Sequence, residues 1–210
     1  KDYMVASLEF MIPTLARFPA PYNWAMNNSL VKGLTARFAG LVDSPSICKL
    51  GLKQEMEKRG VVQASNESLS GLGAEQCAKT VIIVQDAFTS YFETQLVLDI
   101  VDLLKALGFN VQLAPFAPNG KPLHVHGFMK RFTKVAQQNV EMLRYFESQG
   151  VALIGVDPSM TLTYRQEYAQ VVDGELPKVQ LLQEWLSQQK EALQSRQLQG
   201  RANYRLMAHC

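Results

Sequence analysis

The chain has 210 residues, 47% of them hydrophobic, with 21 basic and 19 acidic side chains and a formal net charge of +2. That composition supports a sizeable core, in one domain or one domain with an appendage. Because the charges are spread along the chain with no basic block, nucleic acid is excluded as a main partner.

The longest apolar runs, such as Thr80–Val84, are far too short to cross a bilayer, so no transmembrane segment is expected. Asp2 and Glu9 among the first apolar residues argue against a signal peptide. Three widely spaced cysteines, Cys48, Cys77 and Cys210, form no C-x-x-C pair. They point away from a disulfide scaffold and from a complete metal or iron–sulfur site, and they suit a reducing, cytoplasmic setting. The chain begins at Lys1 and stops at His209-Cys210, which reads as a piece excised from a larger polypeptide.

In chain order, residues 1–72 read as a helical connector arm and linker. Met4, Val5, Leu8, Met11, Ile12 and Leu15 recur at helical spacing, with Pro13 expected to kink or divide the helix. Pro19 and Pro21 break the chain before a second helical run from Tyr22 to about Leu41. A turn follows at Asp43-Ser44-Pro45, and residues 61–73, rich in Ser, Gly and Asn, read as a linker or surface loop.

Residues 78–210 read as an α/β unit. Thr80–Val84 is the β-branched apolar run of a strand covered on both faces. Ser90 and Glu93 fit a capping box that opens a helix with Phe92, Leu96, Ile100, Leu103 and Leu107 inward and Gly108 as its stop. Residues 110–114 form the next strand, and residues 128–148 a helix burying Phe132, Val135, Leu143 and Phe146, with Gly150 just beyond. Residues 151–156 give a third strand. Asp157 then caps, and Pro158 opens, a helix to about residue 170. A helix over residues 178–194 carries Val179, Leu182, Trp185 and Leu186 on one side, and residues 204–208 suggest a fourth strand. Such alternation predicts a parallel, Rossmann-like, three-layer α/β sheet preceded by the helical arm.

In such a sheet the loops 86–89, 118–127 and 157–160 gather at the strand ends, where ligands bind. The turn-rich stretch 117–127 holds Asn119, Gly120, Lys121, His124, His126 and Gly127, and with Asp157 and Ser159 it is the candidate ligand site for a small carboxylate or phosphate. Helix capping alone accounts for Asp157 and for the Ser90/Glu93 pair. In an extended segment His124 and His126 would point the same way and could chelate a metal. No third ligand lies near in sequence, so turn or packing roles are the simpler reading. Arg165 and Glu167 read as a solvated face, and no catalytic Ser/His/Asp or Cys/His set, G-x-G-x-x-G or P-loop occurs. No catalytic residue is assigned.

Three motifs in order carry a family resemblance. They are Val84-Gln85-Asp86-Ala87-Phe88-Thr89 with Glu93, Gly120-Lys121-Pro122-Leu123 with Gly127, and Asp157-Pro158-Ser159-Met160 with Arg165, Glu167 and Tyr168. Over residues 78–210 the chain resembles the first half of the cysteine-rich CCG domain found in heterodisulfide-reductase-like and glycolate-oxidase iron–sulfur subunits. The same domain ends long bacterial flavoproteins of the FAD-linked oxidase family. The resemblance implies a parent enzyme using FAD and [4Fe-4S] clusters to oxidise a D-2-hydroxy acid of the D-2-hydroxyglutarate or D-lactate type. It also implies departures: Pro118 and Asn119 stand where that family has cysteines, and Met160 replaces another. Proline has no ligand atom, asparagine is a poor iron ligand, and a thioether cannot replace a thiolate. Cys210 would bind a metal only with residues further along the parent.

The expectation is therefore a structural, electron-transfer-supporting half-domain with no cofactor of its own. Its partners would be the remaining domains of the parent flavoprotein and an unidentified electron acceptor, and the excised piece would tend to self-associate. A small-anion binding domain and a protein–protein docking module are the alternatives.

Overall fold

A computed structural model of the chain describes residues 2–39 and 44–194. The expected fourth strand at 204–208, together with His209 and Cys210, lies outside the described residues.

The arm begins with two short helices, α1 (Asp2–Ala6) and α2 (Leu8–Leu15). The break between them falls at Ser7, and Pro13 is tolerated inside α2. The face turned inward is Ala6, Glu9 and Ile12, while Met4 and Met11 stay exposed. This corrects the expected stripe by one register and places an acid in the buried row. The second helical run is also divided, into α3 (Pro19–Asn27) and α4 (Ser29–Ala39), where the Asn28 side chain caps α4 by accepting from the Leu30 and Val31 N–H groups. These two helices pair with each other and leave Trp24, Leu30, Leu34 and Phe38 exposed.

Helix α5 (Leu52–Lys58) leads into the body. Residues 61–73, read from sequence as a linker, instead supply strand β1 (Val62–Gln63) and helix α6 (Asn66–Ser70), followed by α7 (Ala74–Ala78). Val62 pairs in parallel with Gln112, so this segment is the sheet's edge. Strand β2 (Thr80–Val84) is buried throughout. After it come α8 (Ala87–Tyr91) and α9 (Thr94–Ala106).

The Ser90/Glu93 capping box does not form. The Asp86 side chain caps α8 instead, Ser90 lies buried within α8, and Glu93 precedes α9 without a side-chain cap. The buried stripe of α9 is Val97, Leu98, Ile100, Val101 and Leu104, so Leu96 and Leu103 face solvent, contrary to the sequence reading. The chain continues through β3 (Asn110–Leu113), α10 (Lys121–Val125), α11 (Met129–Ser148), β4 (Ala152–Gly155) and α12 (Pro158–Arg165). A 3-10 turn, Tyr168–Gln170, then precedes β5 (Val179–Leu181), α13 (Leu182–Gln188) and α14 (Lys190–Gln194). The helix expected from residue 178 therefore starts as a strand: the first residues pair with β4, with Leu153 opposite Val179, before the chain turns helical.

The five strands among the described residues are all parallel, in the order β1-β3-β2-β4-β5. Alternation along β2 sends Val81 and Ile83 to one face and Ile82 and Val84 to the other. The first face is covered by α5, α9 and Trp185 of α13, and the second by α11, Tyr164 and Tyr168. The result is the three-layer, Rossmann-like α/β fold read from the sequence. The helices leaving β2 and β4 lie on opposite faces, so the crevice at their carboxyl ends is the topological switch point of the sheet. No helix among the described residues is long and apolar enough to cross a membrane.

Candidate functional site

Three loops meet at this crevice. The loop after β2 brings Asp86, whose Oδ1 accepts from the Thr89 N–H at 2.8 Å and whose Oδ2 accepts from the Thr89 hydroxyl at 2.5 Å. The loop after β4 brings Asp157, whose Oδ1 accepts from the Met160 N–H at 2.8 Å, the N-cap role read from sequence. The loop after β3 brings Asn119 and Gly120, both buried, with Gly120 in the left-handed region at φ +83°. A side chain at position 120 would be strained by that angle and would meet Phe132 at 3.1 Å.

Asn119 spends its side chain inside the fold. Its Nδ2 donates to the Met160 carbonyl at 3.1 Å, and its Oδ1 accepts from the Lys121 N–H at 3.2 Å. The Tyr168 hydroxyl donates to the Asn119 carbonyl at 2.7 Å and accepts from Asn139 Nδ2 at 2.9 Å, and the same Nδ2 reaches the Pro118 carbonyl. Burial pushes the hydroxyl pKa values of Tyr164 and Tyr168 upward, so both remain neutral donors. Because the Tyr168 hydroxyl satisfies a buried carbonyl, Tyr168→Phe is expected to cost about 2 kcal/mol, read as a midpoint lowered by roughly 5 °C. A change of under 1 °C in a thermal melt would remove this network from the account of stability.

The residue that completes the site comes from the arm. Glu9 on α2 is 3% exposed, and its Oε2 accepts from the Gly120 N–H at 2.8 Å across 111 positions of sequence. Its other oxygen, Oε1, is buried and makes no hydrogen bond. Burial, added to by the charge of Asp86 and only partly offset by the backbone N–H groups of Gly120 and Asn119, pushes the Glu9 pKa up to about 7. Burial likewise raises that of Asp86, against the Thr89 bonds that hold it down. Arg131 fixes the arm above the crevice. Its guanidinium stacks 5.0 Å from the Tyr3 ring and 5.4 Å from the Phe10 ring, and it donates to the Ser7 hydroxyl. The sequence reading missed Glu9 as a site residue. The available signal was a lone acid spaced three residues from both Ala6 and Ile12 on an apolar helix.

Lys121 forms an ion pair with Glu167, so Glu167 is not part of a solvated face as read from sequence. Burial works to raise the Glu167 pKa, but Lys121, together with a backbone N–H and the charge of His124, outweighs it and holds the carboxylate below its usual range. Arg165 does face solvent, paired with Glu184. The extended reading of residues 117–127 fails. His124 lies in α10 and His126 at its end, where residues two apart do not share a face. The His124 ring packs on Phe132 at 4.9 Å. Gly127 closes the turn at φ +75°, and Ser159 is exposed at the start of α12.

The three positions that the CCG resemblance would fill with thiolates are close together but chemically unsuited to a cluster. Pro118 offers no side-chain ligand, the Asn119 amide is engaged, and Met160 presents a buried thioether. Among the described residues no three His, Cys, Asp or Glu side chains come together as metal ligands would. Of the cysteines, Cys77 is buried on α7, and Cys48 lies in the loop before α5, its N–H donating to the Tyr91 carbonyl. Cys210 is outside the described residues.

Fold and site together define a doubly wound α/β protein whose strand-end crevice is occupied by its own side chains. Over all of its length this chain is similar to part of proteins named D-2-hydroxyglutarate dehydrogenase. It is 44% identical over 211 residues to the one from Pseudomonas putida, 38% over 212 residues to that of Escherichia coli, and 37% over 215 residues to that of Pantoea ananatis. The chain spans about a fifth of the length of these curated relatives, covering 20–21% of each. No protein-family model matches the chain, and no solved structure matches it.

Proposed function

We propose that the chain belongs to an FAD- and iron–sulfur-dependent dehydrogenase acting on D-2-hydroxyglutarate, in which it serves as a structural half-domain supporting the electron path. The observation that carries this reading is the similarity to the Pseudomonas putida D-2-hydroxyglutarate dehydrogenase over the whole chain. What supports the supporting role is that Pro118, Asn119 and Met160 are committed to packing and hydrogen bonds, with no thiolate set in the crevice among the described residues. The partners in this reading are the other domains of such an enzyme, and the exposed Trp24, Leu30, Leu34 and Phe38 of the α3–α4 pair suit a contact with them. The setting is cytoplasmic.

Two measurements test the proposal. A polypeptide of the relatives' full length that includes this chain is expected to reduce an artificial acceptor with D-2-hydroxyglutarate. Inactivity with that substrate would overturn the assignment. The 210-residue chain alone, reconstituted anaerobically with iron and sulfide, is expected to stay colourless and inactive. A stable brown chromophore would overturn the supporting role.

A further inference from the structure

The crevice has the form of a bound-ligand site, yet the ligand group is a side chain of the same polypeptide. Glu9 enters from α2, places Oε2 on the Gly120 N–H at 2.8 Å, and is closed off from solvent with Oε1 unpartnered. A packing residue would be apolar at this point of the α1–α2 stripe. A buried carboxyl with one free oxygen is costly unless its surroundings are shaped for it. The shaping is visible at Gly120, where the backbone is left-handed, its N–H meets Glu9, and a Cβ would press on Phe132 and Val135 at 3.1 and 3.2 Å.

We propose that the strand-end crevice is a carboxylic-acid site whose ligand is supplied in cis by Glu9, and that a short monocarboxylic acid binds in the same seat once that side chain is cut back. The class of ligand follows from size and charge. Glu9→Ala removes the atoms of one acetic acid molecule, so formic and acetic acids fit the space. Dianions are disfavoured by the carboxyl group of Asp86 on the α8 side, whose charge acts on Glu9, and behind it by Asp157 at the start of α12, whose charge acts on Asp86. Tyr164 and Tyr168 line it as neutral phenols, Lys121 on α10 is already paired with Glu167, and Arg131 on α11 is held by the rings of Tyr3 and Phe10. Among the described residues none of these cations is left facing the carboxyl, and the seat selects a neutral acid or a monoanion. The proposal does not depend on the dehydrogenase assignment.

The test is chemical rescue of the 210-residue protein. Glu9→Ala is expected to melt below wild type at pH 5. Acetic acid should then raise its midpoint saturably, by about 4 °C at ten times the dissociation constant. Sodium chloride at equal ionic strength should not do so, and neither additive should shift wild type differentially. No acid-specific shift in the variant overturns the proposal. If Glu9→Ala does not fold unaided, recovery of folded protein on refolding in acetic acid but not in chloride supports the proposal, and failure in both overturns it.

Discussion

Gly155→Ala is expected to lower the thermal midpoint by about 10 °C, from a cost of about 3 kcal/mol or more. Gly155 ends β4, paired with Val84 of β2 on one side and Leu181 of β5 on the other. A Cβ there would lie 2.1 Å from Thr161 Oγ1, 2.9 Å from its Cγ2 and 3.0 Å from its Cβ. Neither partner can withdraw. The strand is held in register on both edges, and the Thr161 hydroxyl and N–H both donate to the Asp157 carbonyl, at 2.6 and 2.9 Å. Shortening the obstacle in Gly155→Ala/Thr161→Ala removes the two closest contacts and should recover part of the loss. The double variant is therefore expected to melt above Gly155→Ala alone, a coupling that only a direct clash produces. A Gly155→Ala protein melting within 2 °C of wild type would mean that the α12 turn shifts freely against the sheet.

The second large effect is in pH dependence. With its folded pKa raised from the ordinary 4.5 to about 7, Glu9 prefers the proton in the native state. Its contribution to stability is fully present below pH 4.5 and is lost as pH rises through 7, a total of about 3 kcal/mol at 1.36 kcal/mol per pKa unit. Asp86, raised in the same direction by burial, adds to the fall. Glu167, Glu55 and Glu184, whose pKa values are lowered, act oppositely: their contribution is present above their ordinary pKa and lost as pH falls. Glu9→Gln keeps an acceptor for the Gly120 N–H without a charge to desolvate. Denaturant unfolding at pH 5 and pH 8 is expected to show a loss in wild type that is largely absent in Glu9→Gln. Parallel pH profiles for the two proteins would mean that Glu9 is not buried against Gly120 in solution.

The parts of the fold legible in the sequence are those where burial and local propensity agree. Strands β2 and β4 are apolar runs at the centre of the sheet, β3 shows Val111 and Leu113 in alternation, and Gly108 and Gly150 stop their helices in left-handed turns. The two edge strands were hidden for different reasons. β1 is two exposed residues, too short to show any alternation, and its place is decided by pairing with Gln112 and Leu113. β5 carries Val179 at helical spacing from Leu182 and Leu186, so the pattern of the following helix runs back over it. The α9 stripe is ambiguous in sequence because Val97, Leu98, Val101 and Leu104 are as apolar as Leu96 and Leu103, and packing on the sheet chooses between the two faces. At the site, the loops could be placed from the parallel alternation alone, and Asp157 from the Asp-Pro pair. The contents of the crevice could not, because Glu9 reaches Gly120 from a distant stretch that shares no local pattern with it.

That distance also has a consequence for how the protein is made. Helices α1 and α2 are synthesised before the sheet, and the seat for Glu9 is created only after another 111 residues, a delay of roughly ten seconds at typical synthesis rates. During that interval the row of Ala6, Glu9 and Ile12 has nothing to close against. The Glu9 contact therefore forms only once the loop after β3 has been made, so the arm adds long-range order to a sheet whose own pairings are made without it.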